Sequence, residues 1–182
     1  MNTCRIHITG ASGAGVTSLG RGLADALAIP HHDTDDYYWR PTSPPYSEKR
    51  DLADRLRLMR EMFLDRADWI LSGSLDSWGT PLISCFDIVV FLYTPIPLRL
   101  QRLRAREARR FGPEAVGPGG WRHQATEDFV EWASHYDDGS VDGRNLARHQ
   151  AWLEALPCPV LRLDGARPVP ELVDDVRVAI GR

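Results

Sequence analysis

Short apolar runs alternate along this chain with longer stretches whose apolar residues recur every three or four positions. Thr3 to Thr9 reads as a strand, and Gly15 to Ala28 as a helix with Leu19, Leu23 and Leu27 on one face. Pro30-His31-His32-Asp33 reads as a short strand ending in carboxylates, and Pro41 to Tyr46 as a Pro-rich loop. Ser47 is a candidate N-cap for a helix to about Arg66, with Leu52, Leu56, Met59 and Phe63 as its buried stripe. Trp69-Ile70-Leu71 is a third strand, broken at Gly73. Phe86 to Tyr93 is apolar on both faces, the pattern of a central parallel strand. Leu98 to Arg110 is an arginine-rich helix, Gly112 to Gly120 a Gly/Pro loop, and Glu127 to His135 a short helix. Asp142 to Leu156 holds another helix, and Pro159 to Leu163 and Val169 to Ile180 close the chain as strand and helix.

Strands alternating with helices imply βαβ units: an α/β, three-layer fold whose parallel sheet is covered on both faces. No internal repeat and no dividing linker is evident, so residues 1–182 are expected to form one domain. The segment from about 111 to 145 fits the alternation least, with Gly/Pro-rich and Gly/Asp-rich stretches around a short helix. It reads as a lid inserted into the core.

Composition narrows the function classes. Hydrophobic content of 43% and charged content of 26% are ordinary for a globular protein. A net charge of −3 gives no reason to expect nucleic acid or an anionic membrane as partner. No apolar run reaches membrane-spanning length, and the first residues lead straight into a strand without a signal-like segment. Cys4, Cys85 and Cys158 have no metal-ligand spacing and fit reduced thiols in a cytoplasmic protein. Lys49 is the only lysine in the chain, so cationic help to a phosphate must otherwise come from arginine, a metal ion or a partner.

Between the first strand and the first helix lies Gly10-Ala11-Ser12-Gly13-Ala14-Gly15-Val16-Thr17-Ser18. A phosphate-binding P-loop is Gly, four residues, Gly, Lys, then Ser or Thr. Gly10, Gly15 and Thr17 are in register, and Val16 occupies the lysine position. Such a turn aims successive amides and a helix N-terminus at one point, and both attract phosphate. Thr17 is placed to ligate Mg²⁺ and Ser18 to touch an α-phosphate. A dinucleotide-binding loop competes with this reading, but it calls for glycine where Val16 stands. A ligand-free structural turn competes as well.

Asp33, Asp35 and Asp36 follow the second strand, at the sheet edge where ligands gather in parallel α/β folds. One carboxylate can hold Mg²⁺ through water and one can orient or deprotonate a substrate hydroxyl; the alternative is a solvated acidic turn. His31 and His32 are adjacent on a strand and point to opposite faces, so they are not expected to chelate a metal together. Tyr37-Tyr38-Trp39 can wall a substrate pocket or staple a flap. Ser72-Gly73-Ser74 lets a substrate approach the backbone. Arg99, Arg102, Arg104, Arg106, Arg109 and Arg110 crowd one helix; most read as a solvated face, with one or two at its end placed to close on phosphates. Arg144 and Arg148 form a further pair beyond the insert. An arginine-bearing lid is the natural substitute for the missing lysine, and RNA binding is the rival reading.

This order of parts resembles the P-loop nucleoside-monophosphate and small-molecule kinases of the adenylate kinase and shikimate kinase kind, over nearly the whole chain, in the variant whose loop lacks its lysine. The resemblance implies a five-stranded parallel sheet in the order 2-3-1-4-5, with helices on both faces. It implies ATP on Gly10, Ser12, Gly13, Ala14, Gly15, Val16, Thr17 and Ser18, and Mg²⁺ on Thr17 and Asp33. Asp33, Asp35, Arg106 and Arg110 would be catalytic. Asp35, Asp36, Tyr38, Gly73, Ser74 and Arg144 would hold the acceptor, with an acceptor segment over about 34–66. The implied activity is transfer of the γ-phosphoryl of ATP to a nucleoside monophosphate or another small hydroxyl compound. Nucleotide binding without transfer, or ATP hydrolysis without an acceptor, is the alternative. Val16 departs from the pattern, and the third strand lacks the Asp-Gly-Phe-Pro-Arg-like stretch of adenylate kinases.

Overall fold

The computed structural model describes residues 3–182. Its sheet contains β1 (Cys4–Gly10), β2 (His31–Asp33), β3 (Asp68–Ser72), β4 (Ile88–Tyr93) and β5 (Val160–Asp164). All pairings are parallel and the order is β2-β3-β1-β4-β5, as the resemblance implies. The helices are α1 (Val16–Leu27), α2 (Thr34–Tyr38), α3 (Leu52–Met59), α4 (Ile96–Phe111), α5 (Pro113–Val116), α6 (His123–Ser134), α7 (Leu146–Glu154) and α8 (Val169–Ala179).

Period-two alternation sends the strand side chains into two separate cores. Ile6, Ile8, Ile70, Val90 and Leu92 face Leu19 and Leu23 of α1 and Leu172, Val173 and Val176 of α8. Trp69, Leu71, Val89 and Phe91 face the other way, onto Met59, Phe63, Phe86 and Leu153. This is why β4 reads as apolar on both faces. Truncating a fully buried ring such as Trp69 or Phe63 removes about 3–5 kcal/mol. The register then fixes the site: Ile8 and Asp33 both pair with Ser72, and Gly10 pairs with Leu92. The carboxyl ends of β1, β2 and β3 therefore open onto one edge.

The structure departs from the sequence expectation in four places. The N-cap of α3 is Asp51, whose side chain accepts from the Asp54 amide at 2.9 Å, whereas the Ser47 hydroxyl is taken up by Thr42 and the Pro44 carbonyl. Starting later turns Leu52 out to solvent, and the inward position goes to Arg55, whose guanidinium lies 3.8 Å from the Tyr38 ring centroid. Arg99 is fully buried, not part of a solvated face. Within the expected Gly/Pro loop lies α5, and α6 begins a turn earlier than Glu127, packing on α4 through Leu103, Val130 and Ala133.

Candidate functional site

Gly10 ends β1 where the Leu92 carbonyl passes so close that a Cβ would lie 2.6 Å from it. Gly13 takes φ +82°, and its Cβ would meet the Arg99 carbonyl at 2.6 Å. The loop can curl here only because neither position carries a side chain. The Ala14 amide donates to the Ala11 carbonyl at 3.0 Å, and the first bond of α1 runs from Leu19 N–H to Gly15 C=O. The amides of Val16, Thr17 and Ser18 precede that bond, and no side chain caps the helix. They form an anion cradle at the positive end of the helix dipole.

Val16 packs against the α1–α8 core while its edge lines the cleft. Arg102 also reaches the loop: its Nη1 donates to the carbonyls of Ala14 at 3.2 Å and Gly165 at 2.9 Å. That arginine braces the loop backbone while lining the cleft.

The Thr17 hydroxyl donates to Asp33 Oδ2 at 2.9 Å. Asp33 Oδ1 accepts from the Asp35 amide at 3.0 Å and so caps α2. The short helix turns Asp35 and Tyr38 into the cleft. Asp36 does not line the cleft; its carboxyl feels the charges of Asp33, His31 and Arg21. Solvent reaches Asp35 through the cleft, yet burial against protein, together with the Asp33 charge, raises its pKa above the usual carboxylate value. Arg106, Arg144 and Arg110 act on it in the opposite direction. Gly73 takes φ +121°, with the Thr34 side chain where a Cβ would project, so β3 and α2 are interlocked.

The other wall comes from α4. Glu107 is buried, and Arg106, Arg110 and Arg122 approach it at 3.3, 3.9 and 4.0 Å. The Arg110 guanidinium also sits 4.7 Å from the Tyr46 ring centroid. Tyr38, Trp39, Tyr46, Trp78 and Lys49 also line this cleft, whose volume is about 930 Å³. Arg144 Nη2 donates to Ser12 Oγ at 2.7 Å, so this residue, grouped by sequence with the acceptor side, lies on the Gly-rich loop. Gly73 and Ser74 also line the cleft, and Ser74 Oγ accepts from the Asp76 amide at 3.3 Å.

His31 and His32 diverge as expected: His31 bonds Ser72 Oγ at 2.8 Å, while His32 stacks on Phe63 with ring centroids 4.1 Å apart. Among the described residues no group of three or more His, Cys, Asp or Glu side chains is placed to hold a metal ion. The Thr17–Asp33 pair beside the cradle suits a cation that keeps water and phosphate oxygens as its remaining ligands, as Mg²⁺ does. Asp76 and Trp78 line the cleft without any local motif to announce them. Glu107 had one sequence signal, a single acid among the α4 arginines.

No family model matches the chain. It is 42% identical over 171 residues to the uncharacterized protein YqaC of Bacillus subtilis, covering 94% of each chain. It is 25% identical over 143 residues to a cytidylate kinase of Haloarcula marismortui, covering 72% of each. Among solved structures, shikimate kinase from Bacteroides thetaiotaomicron superposes with a TM-score of 0.56 at 18% identity, over 99% of both chains. The fold is that of P-loop kinases. No helix among the described residues is long and apolar enough to cross a membrane.

Proposed function

The chain belongs to the family of the Bacillus subtilis protein YqaC, and on that premise we propose that it is a P-loop kinase-type phosphotransferase that passes the γ-phosphoryl of ATP to a small acceptor. The observation that carries this reading is the convergence of an amide cradle, the Thr17–Asp33 pair and the Asp35 carboxyl on one cleft. Gly10 to Ser18 would bind the triphosphate. Thr17 and Asp33 would hold Mg²⁺, which when bound neutralises charge on the β- and γ-oxygens.

The acceptor would lie between residues 34–66 and α4. The rings of Tyr38, Trp39, Tyr46 and Trp78 suit a planar group, while Lys49, Arg106 and Arg110 suit an anionic one. A nucleoside monophosphate carries both; a small anionic hydroxyl compound carries the second. An acceptor oxygen attacks the γ-phosphorus, the bond to the β,γ-bridging oxygen breaks, and its electron pair leaves with ADP. Where the acceptor is a hydroxyl, its proton passes to Asp35. The arginine-bearing segment 111–145 would act as the lid. With ATP as donor and free thiols at Cys4, Cys85 and Cys158, the fitting compartment is the cytoplasm.

A second reading, nucleotide binding without transfer, is favoured by the apolar Val16 at the lysine position. One experiment separates the two. Purified protein with Mg²⁺ and ATP is followed for thermal shift and for ADP release across a panel of nucleoside monophosphates, nucleosides and small hydroxyl acids. Acceptor-dependent ADP release supports transfer. A thermal shift without it supports the binding reading, and no shift at all ends both.

A further inference from the structure

Two arginines lie near the Gly-rich loop, Arg99 fully buried and Arg144 half-buried on the cleft, and they are satisfied very differently. Arg99 donates to the Thr94 carbonyl at 2.9 Å, to the Ala133 carbonyl at 3.2 Å and to Asp137 Oδ1 at 2.9 Å. It is a structural tie, with each arm of its fork on an acceptor. Arg144 makes one hydrogen bond among the described residues, to Ser12 Oγ, and no carboxylate lies within ion-pair distance. A guanidinium has five donors. Arg144 lines the cleft, so the donors that Ser12 does not take are open to an anion bound there.

The chain holds Arg144 in place. Its guanidinium packs 5.9 Å from the Trp132 ring centroid. Trp132 Nε1 donates to the Asp142 carbonyl at 3.2 Å, Arg148 Nη1 to the Gly143 carbonyl at 2.9 Å, and the Leu146 amide to the Tyr136 carbonyl at 2.7 Å. The segment before α7 is thus tied on both sides of Arg144. Arg144 and Asp35 line the same cleft, and Arg144 meets it at Ser12 of the Gly-rich loop. Of the other arginines on the cleft, Arg102 donates to the Ala14 and Gly165 carbonyls and Arg106 and Arg110 share Glu107, whereas Arg144 bonds a side chain of the Gly-rich loop itself.

We infer that Arg144 supplies, from 132 residues away in sequence, the positive charge that Val16 does not bring to the loop, and that it acts on the γ-phosphoryl group. This rests on the phosphotransferase reading and assigns one residue within it. Arg144 would donate to γ-oxygens while Ser12 fixes one arm of its fork. No proton or electron is exchanged by Arg144 itself.

The test compares affinity for MgATP and MgADP, by calorimetry, together with turnover, in four proteins: wild type, Arg144→Ala, Val16→Lys and the double variant. A cation aimed at the γ-phosphoryl affects ATP and leaves ADP nearly alone, a split that a merely structural role would not produce. Arg144→Ala should lower the preference for ATP over ADP roughly tenfold and turnover roughly 10²-fold, the loss expected for one preorganised charge. Adding Val16→Lys to Arg144→Ala should restore about tenfold of that loss, whereas Val16→Lys alone should gain less than about twofold because the place is already filled. Should Arg144→Ala fail to fold, the single Val16→Lys variant still decides: a gain of about tenfold or more overturns the inference. Equal ATP and ADP effects of Arg144→Ala overturn it too, while leaving the phosphotransferase reading intact. Absence of MgATP binding in wild type overturns both.

Discussion

The Thr17 hydroxyl and the Asp33 carboxylate, which belong to different strand–helix units, meet at 2.9 Å beside the N-terminus of α1. Asp33 uses its other oxygen to cap α2. One residue therefore couples the start of α1 to the helix that carries Asp35.

The two duties of Asp33 can be separated by substitution. Asparagine caps a helix nearly as well as aspartate but is a weaker Mg²⁺ ligand. Asp33→Asn should leave thermal stability within about 1 kcal/mol of wild type while lowering Mg²⁺-dependent turnover roughly 10²-fold and raising the Mg²⁺ concentration needed for half-maximal rate. Thr17→Ala should give the same shift in Mg²⁺ dependence. A Mg²⁺ titration of ADP release checks both, and unchanged midpoints would remove the pair from the metal site.

Asp35 gives a pH prediction. Burial and the Asp33 charge raise its pKa, so with a hydroxyl acceptor the rate should fall on the acid side below that raised value, where the base is protonated. Asp35→Asn should flatten this limb and cost roughly 10²–10⁴-fold at neutral pH. The stability effect has the opposite sign. A carboxyl raised in the folded state holds its proton more tightly there than in the unfolded chain, so ionising it at neutral pH opposes folding. Asp35→Asn should therefore be slightly more stable than wild type at pH 7, and the gain should vanish as the pH falls. A pH–rate profile and matched unfolding curves test the two signs together.

Glu107 binds the α4 wall of the cleft into a unit. Its buried carboxylate is approached by Arg106, Arg110 and Arg122, all partly open to solvent. Glu107→Gln removes the shared counter-charge and leaves three guanidinia facing one another. Because solvent screens them, the loss should be about 1–3 kcal/mol rather than the larger cost of a fully buried pair. For a chain of 182 residues that corresponds to a Tm lower by about 2–12 °C. Under the proposed reading the acceptor KM should rise more than kcat falls. A melt without ligand and an acceptor titration measure the two effects separately.

The parts of this architecture that were legible in the sequence are those set by local periodicity. The Gly10–Ser18 loop between an apolar strand and an apolar-striped helix and the double-faced β4 run needed only neighbouring residues to be read. What stayed hidden depends on tertiary placement. Arg99 and Arg106 look alike on α4, but one is buried against Asp137 and the other faces the cleft. Asp35 and Asp36 are adjacent, and only the five-residue helix α2 decides which of them enters the site. Ser47 reads as the cap in the sequence, but the helix starts four residues later on the Asp51 carboxylate. The contact between Arg144 and Ser12 spans 132 residues and leaves no local trace.

Two buried histidines set the stability of the fold in mild acid. His7 on β1 stacks on Phe86, and its Nδ1–H donates to the Leu71 carbonyl at 3.0 Å while Nε2 has no partner among the described residues. His149 on α7 shares hydrogen bonds with Thr9 Oγ1 at 3.0 Å and the Tyr136 hydroxyl at 2.8 Å. Burial pushes their pKa values down to about 4 and about 3. A histidine depressed in the folded state binds its proton first in the unfolded chain, so stability is full above about pH 6.5 and falls as the pH drops through the window between that value and the folded pKa. Each such histidine adds a slope of about 1.4 kcal/mol per pH unit within the window. Between pH 6 and 5, before most carboxylates protonate, the wild-type urea midpoint should fall steadily, and it should be flat from pH 7 to 8. His149→Phe removes one titrating site and should shallow the slope by about one proton, although it lowers stability at pH 7 by leaving Thr9 and Tyr136 without their shared partner. Parallel wild-type and variant curves across pH 5–7 would mean that His149 is not held neutral by the fold.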